Sequence, residues 1–277
     1  MMDKVMVVSN LTKKYGNFTA VDDISFELNK GEIVGFVGEN GAGKSTTIRC
    51  ITNMLFPTIG SINVLGVDSV SNAKEINAKT VYLPGEVEFY KGVSAKELFK
   101  LSSYFEPGSF DEAIKLSEYF GLDINKKVSS LSLGNRKKVS IVLTLMRESE
   151  LIIMDEPTSG LDPLIQNKFF SLLLERVKKG VTVFLSSHNL AEVQKYCDRV
   201  LIIKEGKIID NISMEGLQLE NKQICKYVTK SGEEKIFAIE EDINSLIAKL
   251  SNMKLESLEI RSKSVEEDLL NYYGRSE

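Results

Sequence analysis

Short runs of apolar residues recur along the chain as far as about Asn211, with amphipathic stretches between them. Ile33-Val34-Gly35-Phe36-Val37 has no polar position, the pattern of a strand buried on both faces. Val81–Leu83, Leu151–Met154, Val181–Leu185 and Val200–Ile203 repeat it, and Val5–Val8 and Ile24–Leu28 add two strands upstream, with Gly16-Asn17 as a turn between them. Helical spacing is found from Thr46 to Leu55, stopping ahead of Pro57, and again at Ala95–Tyr104, Asp111–Phe120, Asn135–Arg147 and Leu164–Lys178. Buried strands alternating with helices predict an α/β fold on a parallel sheet covered on both faces.

Lys204-Glu205-Gly206-Lys207 reads as a hairpin turn that closes this domain, placed at residues 1–212. Beyond it the texture shifts to shorter pieces: Ile224–Thr229, Lys235–Ile239, a helix with Ile243, Leu246, Ile247 and Leu250 on one face, and Lys254–Ile260. A last helix is expected from Ser264, whose spacing to Glu267 fits a capping box. Residues 213–277 are therefore expected to form a small α+β appendage. No internal repeat or low-complexity segment interrupts the pattern.

Composition changes this picture little. With 277 residues and 43% hydrophobic content the chain can bury a sizeable core. A net charge of −4 gives no basic footprint for a polyphosphate backbone, so nucleic acid is not an expected partner. Cys50, Cys197 and Cys225 lie far apart, and the lone histidine, His188, cannot complete a zinc site with them; a reducing compartment without structural metal is expected. No secretory signal is expected, since the apolar run Val5–Val8 is short and no small-residue cleavage signal follows it, and no membrane span is expected, because turn formers at Asn53, Pro57, Gly60 and Asn63 break the longest uncharged stretch.

Chemistry concentrates in two places. Gly38-Glu39-Asn40-Gly41-Ala42-Gly43-Lys44-Ser45 matches G-x-x-x-x-G-K-S and stands between a buried strand and a helix opened by Thr46. Glycines let consecutive N–H groups turn inward as an anion nest, Lys44 reaches the β- and γ-phosphates, and Ser45 offers a hydroxyl to Mg²⁺. Asp155 and Glu156 follow the apolar strand Leu151–Met154 at its C-terminal end, where ligands of open α/β sheets bind. Asp155 is suited to holding Mg²⁺ and Glu156 to polarising an attacking water. A bare glycine turn and an ordinary Asp-Glu-Pro turn are the plainer readings of each motif, and their co-occurrence argues against both.

With these motifs in place, the chain resembles the ATP-binding cassette (ABC) family of nucleotide-binding domains from about Val5 to Asn211. The resemblance implies a P-loop cassette with a mixed β-sheet flanked by helices, and a helical subdomain at about 87–150. It implies that Tyr15 stacks on adenine, that Ser159-Gly160-Leu161-Asp162 is a D-loop and that His188 is a switch histidine. Its L-S-G-G-Q signature corresponds to Leu131-Ser132-Leu133-Gly134-Asn135, with Ser132, Gly134 and Asn135 closing on ATP held by a second cassette. Leu133 stands where the family has glycine; if the backbone there needs a positive φ, the position is strained. Arg136, Lys137 and Lys138 follow in the helix's first turns against its dipole, at a cost of about some tenths of a kcal/mol each, unless an anion docks there; a solvated basic face is the alternative. At Pro84-Gly85-Glu86 the family's glutamine is missing, so Glu86 is a candidate ligand for Mg²⁺ or water, or else a solvated carboxylate.

The resemblance narrows to bacterial exporter cassettes of the drug- and bacitracin-resistance kind, on Gly85-Glu86 and the end Val265–Gly274. It implies an ATPase that dimerises around Mg²⁺-ATP and drives a membrane permease encoded by another chain. Its place would be cytoplasmic, peripheral on the inner face of the membrane, with Phe89-Tyr90 and Val93-Ser94 meeting that partner. A soluble ABC ATPase serving as a regulatory or assembly switch is the alternative. A GTPase is disfavoured, since neither Asn125-Lys126-Lys127-Val128 nor Asn221-Lys222-Gln223-Ile224 supplies the aspartate of a guanine motif.

Overall fold

Strands that run in the same direction need a long return connection, and the amphipathic stretches supply it as helices. The computed structural model describes residues 3–105, 109–215, 223–230, 232–239, 242–251 and 253–262. It opens with β1 (Lys4–Tyr15), β2 (Phe18–Asn29), β3 (Ile33–Val37), α1 (Lys44–Ile51), β4 (Ile59–Val64), β5 (Val67–Asp68), α2 (Ala73–Lys79) and β6 (Thr80–Leu83). Three helices follow: α3 (Ala95–Ser103), α4 (Ser109–Phe120) and α5 (Leu133–Leu145). The chain then alternates through β7 (Leu151–Met154), α6 (Pro163–Lys178), β8 (Thr182–Ser187), α7 (Leu190–Tyr196), β9 (Arg199–Lys204) and β10 (Lys207–Ser213). Last come β11 (Gln223–Thr229), β12 (Glu234–Ala238), α8 (Ile243–Leu250) and β13 (Leu255–Ser262).

Two compact units divide the chain, Met1–Asn211 and Ile212–Glu277. In the first, a six-stranded sheet has the order β10-β9-β3-β8-β7-β6, its pairings from β9 through β6 all parallel. Every residue of β3, β7 and β8 is buried, as strands covered on both faces require. A second sheet, β2-β1-β4-β5, is antiparallel, which makes the cassette mixed α/β rather than purely parallel. The apolar pattern alone misses β4, β5, α2 and α7. β4 buries only Ile62 and Val64, and α2 only Ile76, too few positions to show a period.

An aromatic cluster joins the two sheets. Phe26 of β2 lies 6.0 Å from Phe36 of β3 and 5.6 Å from Phe184 of β8, and those two are 5.4 Å apart. Between β6 and β7, α3 to α5 pack on one another, with Phe99, Leu116, Phe120 and Val139 buried among them. Ser94 and Glu97 form a capping box that fixes the start of α3. In the second unit Cys225 and Tyr227 of central strand β11 pack with Leu246 and Leu250 of α8. The helix expected from Ser264 and the stretch Val265–Gly274 lie outside the described residues.

Phe184 is fully buried, so Phe184→Ala should cost about 3–5 kcal/mol by removing packed volume from the junction of the sheets. A urea titration with an unchanged midpoint would contradict this account of the core.

Candidate active site

Because β3, β6, β7 and β8 run in parallel, their C-terminal ends share one edge of the sheet. The segments leaving that edge are 38–43 after β3, Pro84-Gly85-Glu86 after β6, Asp155-Glu156 after β7 and His188 after β8. Topology thus gathers motifs that lie up to 150 residues apart in sequence, Gly38 and His188 among them.

Two glycines let the first loop fold where no other residue fits. A Cβ on Gly38 would stand 2.4 Å from the carbonyl oxygen of Ile203, and one on Gly43 would stand 2.7 Å from that of Ala20. Gly43 also has φ 110° and caps α1 without any side-chain hydrogen bond. The first N–H groups of α1 are therefore left for an anion. Lys44 is only 5% exposed, and its Nζ donates to the carbonyls of Gly38 at 2.6 Å and Glu39 at 3.0 Å. Burial pushes its ammonium pKa down, while Glu156 and Asp155 pull it up. Nζ also lies 3.8 Å from Glu156 Oε1.

Asp155 is buried, and its Oδ1 accepts from Ser186 Oγ at 2.6 Å. The same hydroxyl accepts the Glu156 N–H at 3.0 Å, and the Asp155 N–H donates to Leu83 O at 2.8 Å. Glu156 holds φ 48°, a left-handed conformation that costs a non-glycine residue about 1–3 kcal/mol and survives only where the surroundings enforce it. Ser186 is one enforcer. The Glu156 carboxylate is another, meeting Lys44 through Oε1 and the exposed His188 ring, by a short contact to Nδ1, through Oε2. Ser186 belongs to no motif, and its only signal in the sequence is its place two residues ahead of His188.

A 310 Å³ pocket opens beside this cluster. Tyr15, Asn40, Gly41, Gly43, Lys44, Ser45, Thr46 and Glu156 line it, as do Phe18 and Ala20, which the sequence reading did not single out. Phe18 faces Tyr15 across the β1–β2 register, at 65% and 47% exposure, and Lys13 Nζ lies over the Tyr15 ring, 5.3 Å from its centroid.

Ser132, Gly134 and Asn135 do not line that pocket. Ser132 caps α5, accepting the Asn135 N–H at 3.4 Å. Leu133 is helical, so it carries no positive-φ strain. It is 66% exposed and lies over Gly160, where an added Cβ would stand 3.3 Å from Leu133 Cδ2. Lys137 is buried rather than part of a solvated basic face. Glu86 is exposed and does not line the pocket; at the preceding position a Cβ on Gly85 would stand 3.3 Å from the Asp155 carbonyl oxygen.

The donor chemistry fits a nucleotide with a divalent cation. Open amides and a buried lysine suit phosphate, while the Ser45 hydroxyl and Asp155 carboxylate are the hard oxygen donors that Mg²⁺ prefers.

Residues 21–159 match the family model described as ABC transporter. The bacitracin transport ATP-binding protein BcrA of Bacillus licheniformis is 34% identical over 236 residues, covering 82% of this chain and 75% of that protein. The probable multidrug ABC transporter ATP-binding protein YbhF of Escherichia coli (strain K12) is 32% identical over 225 residues, 79% of this chain but 39% of its own length. A solved ATP-binding subunit of an ABC transporter superposes with a TM-score of 0.71 at 28% identity, covering 78% of this chain and 92% of that one.

Ser186→Ala removes the hydroxyl shared by Asp155 and the Glu156 amide, so folding stability should fall by about 1–3 kcal/mol. Chemical denaturation that gave wild-type stability would remove Ser186 from the enforcing contacts.

Proposed function

Because this chain belongs to the ATP-binding cassette (ABC) transporter family and is an ATP-binding, ATP-hydrolysing subunit, we propose that two such cassettes close around nucleotide to drive a separate membrane permease, and that the cargo is exported. One observation carries the reading: Lys44 and His188 converge on the carboxylate of Glu156 at the wall of a pocket whose floor is the open N-terminus of α1.

The triphosphate lies along the amides of residues 38 to 46, with Lys44 drawn from its carbonyl partners toward the terminal phosphates. Ser45 and Asp155 hold Mg²⁺, which when bound neutralises charge on the phosphates. Glu156 orients the attacking water and accepts its proton, and His188 holds the carboxylate in position. Tyr15, with Phe18 beside it, stacks the adenine. Ser132, Gly134 and Asn135 reach the γ-phosphate of the partner cassette, which is why they stand apart from the pocket of their own subunit. Glu86, exposed, is the weakest of the proposed ligands.

No described helix is long and apolar enough to cross a membrane, and the permeation path is assigned to another chain. Exposed Tyr90, with Phe89, supplies apolar contact for that partner on the inner face of the membrane. A drug-like cargo draws support from the names of two relatives, a bacitracin transport ATP-binding protein and a probable multidrug ABC transporter ATP-binding protein, and the outward direction is part of the proposal. Residues 1–212 are proposed as the motor domain, 87–150 as its helical subdomain, and 213–277 as an accessory domain.

Lys44→Ala should weaken ATP binding by roughly 10- to 100-fold in calorimetry, the loss of a charged hydrogen bond. Glu156→Gln should bind ATP normally yet turn over at least about 100-fold more slowly, and sedimentation should show its mass doubling with ATP. A Glu156→Gln protein that stays monomeric with saturating Mg²⁺-ATP sinks the two-cassette model. Co-purification of a polytopic membrane protein with the tagged chain checks the permease assignment.

A further inference from the structure

Of the three cations that follow the signature segment, only Lys137 is buried, at 7% exposure. Lysines are almost never buried unless paired. Its Nζ donates to the carbonyl of Gly85 at 3.0 Å. Gly85 in turn lies against Asp155, where a Cβ would come within 3.3 Å of the Asp155 carbonyl oxygen. Burial pushes the Lys137 ammonium pKa down, and Asp155 and Glu156 are the charges that pull it up. The other end of this connection is α5 itself, whose cap, Ser132, lies roughly 7 Å along the helix axis from Lys137.

We propose that Lys137 is a positioning residue that couples each cassette's signature segment to that same cassette's own Asp155-Glu156 site, by its hydrogen bond to Gly85 and by its charge. The inference rests on the proposed roles of Asp155 toward Mg²⁺ and of Ser132–Asn135 toward a second cassette. The hydrogen bond holds the first turns of α5 to the loop after β6, so the orientation of the signature follows the position of that loop. The positive charge balances the two carboxylates before a cation arrives and opposes a divalent ion when it does. A neutral donor would serve the first role alone. The segment proposed to act on the other nucleotide is thereby tied, through Lys137 and Gly85, to the charge carried at Asp155 and Glu156.

Three variants separate tether from charge. Lys137→Met removes both, Lys137→Gln keeps a donor without charge, and Lys137→Arg keeps charge and donor. Binding of a non-hydrolysable ATP analogue is measured with Mg²⁺ and with chelator, and the ratio of the two affinities is read. Met and Gln should raise the preference for the Mg²⁺ complex by about three- to tenfold, and Arg should leave it at the wild-type value. In a Glu156→Gln background, sedimentation with ATP should show Lys137→Met weakening dimerisation at least about fivefold, with Lys137→Gln within about twofold of the parent. A lysine that only packs α5 would lower the melting temperature and move neither quantity, and that result overturns the proposal. An unchanged Mg²⁺ preference in Lys137→Gln overturns it even if the Met variant does not fold. Should the Glu156→Gln parent itself fail to dimerise, the two-cassette reading falls and this inference with it; Lys137 variants that match a dimerising parent count against the inference alone.

Discussion

A single buried ammonium organises the site. Lys44 sits in the interior where an uncompensated charge is expensive, and its neighbours are arranged to answer it: two loop carbonyls within 3.0 Å and the Glu156 carboxylate at 3.8 Å. Those carbonyls face inward because Gly38 and Gly43 allow the loop to run against Ile203 and Ala20 at distances that exclude any side chain. The carboxylate is within reach because β7 lies in the same parallel sheet as β3, separated from it only by β8, and ends at Met154 in register with Gly35 through Leu185. Loop, sheet order and strained glutamate are one solution to the placement of that charge.

The same logic extends across the site. Two buried lysines, Lys44 and Lys137, stand near two acidic side chains, Asp155 and Glu156, and each lysine is also satisfied by backbone carbonyls. The arrangement is close to balanced before ligand arrives, so binding exchanges internal partners for phosphate instead of creating contacts from nothing. Tyr15 and Phe18 line the same pocket and bring aromatic surface to it.

Much of this could be read from residue order. β3 and β7 fall at the predicted boundaries because a fully apolar run flanked by glycine or charge has one physical reading. The phosphate loop and the Asp155-Glu156 pair were visible because their spacing relative to a strand carries the chemistry. What stayed hidden depends on azimuth or pairing. Lys137 follows Arg136 and precedes Lys138, and sequence alone does not tell which of three adjacent cations turns inward. Phe18 joins Tyr15 only through a hairpin register, and β4 alternates too briefly to stand out because its first three residues, Ile59 to Ser61, are exposed. Leu133, expected to be strained if its φ were positive, is an ordinary helical residue because α5 begins with it.

The left-handed backbone at Glu156 is held in place by contacts of its own side chain. At φ 48° a glycine or asparagine rests more comfortably than a glutamate, so the backbone strain offsets part of what the carboxylate gains from Lys44 and His188. Shortening that side chain would relax the backbone and leave Lys44 less well answered at the same time, so its two effects on folding oppose one another.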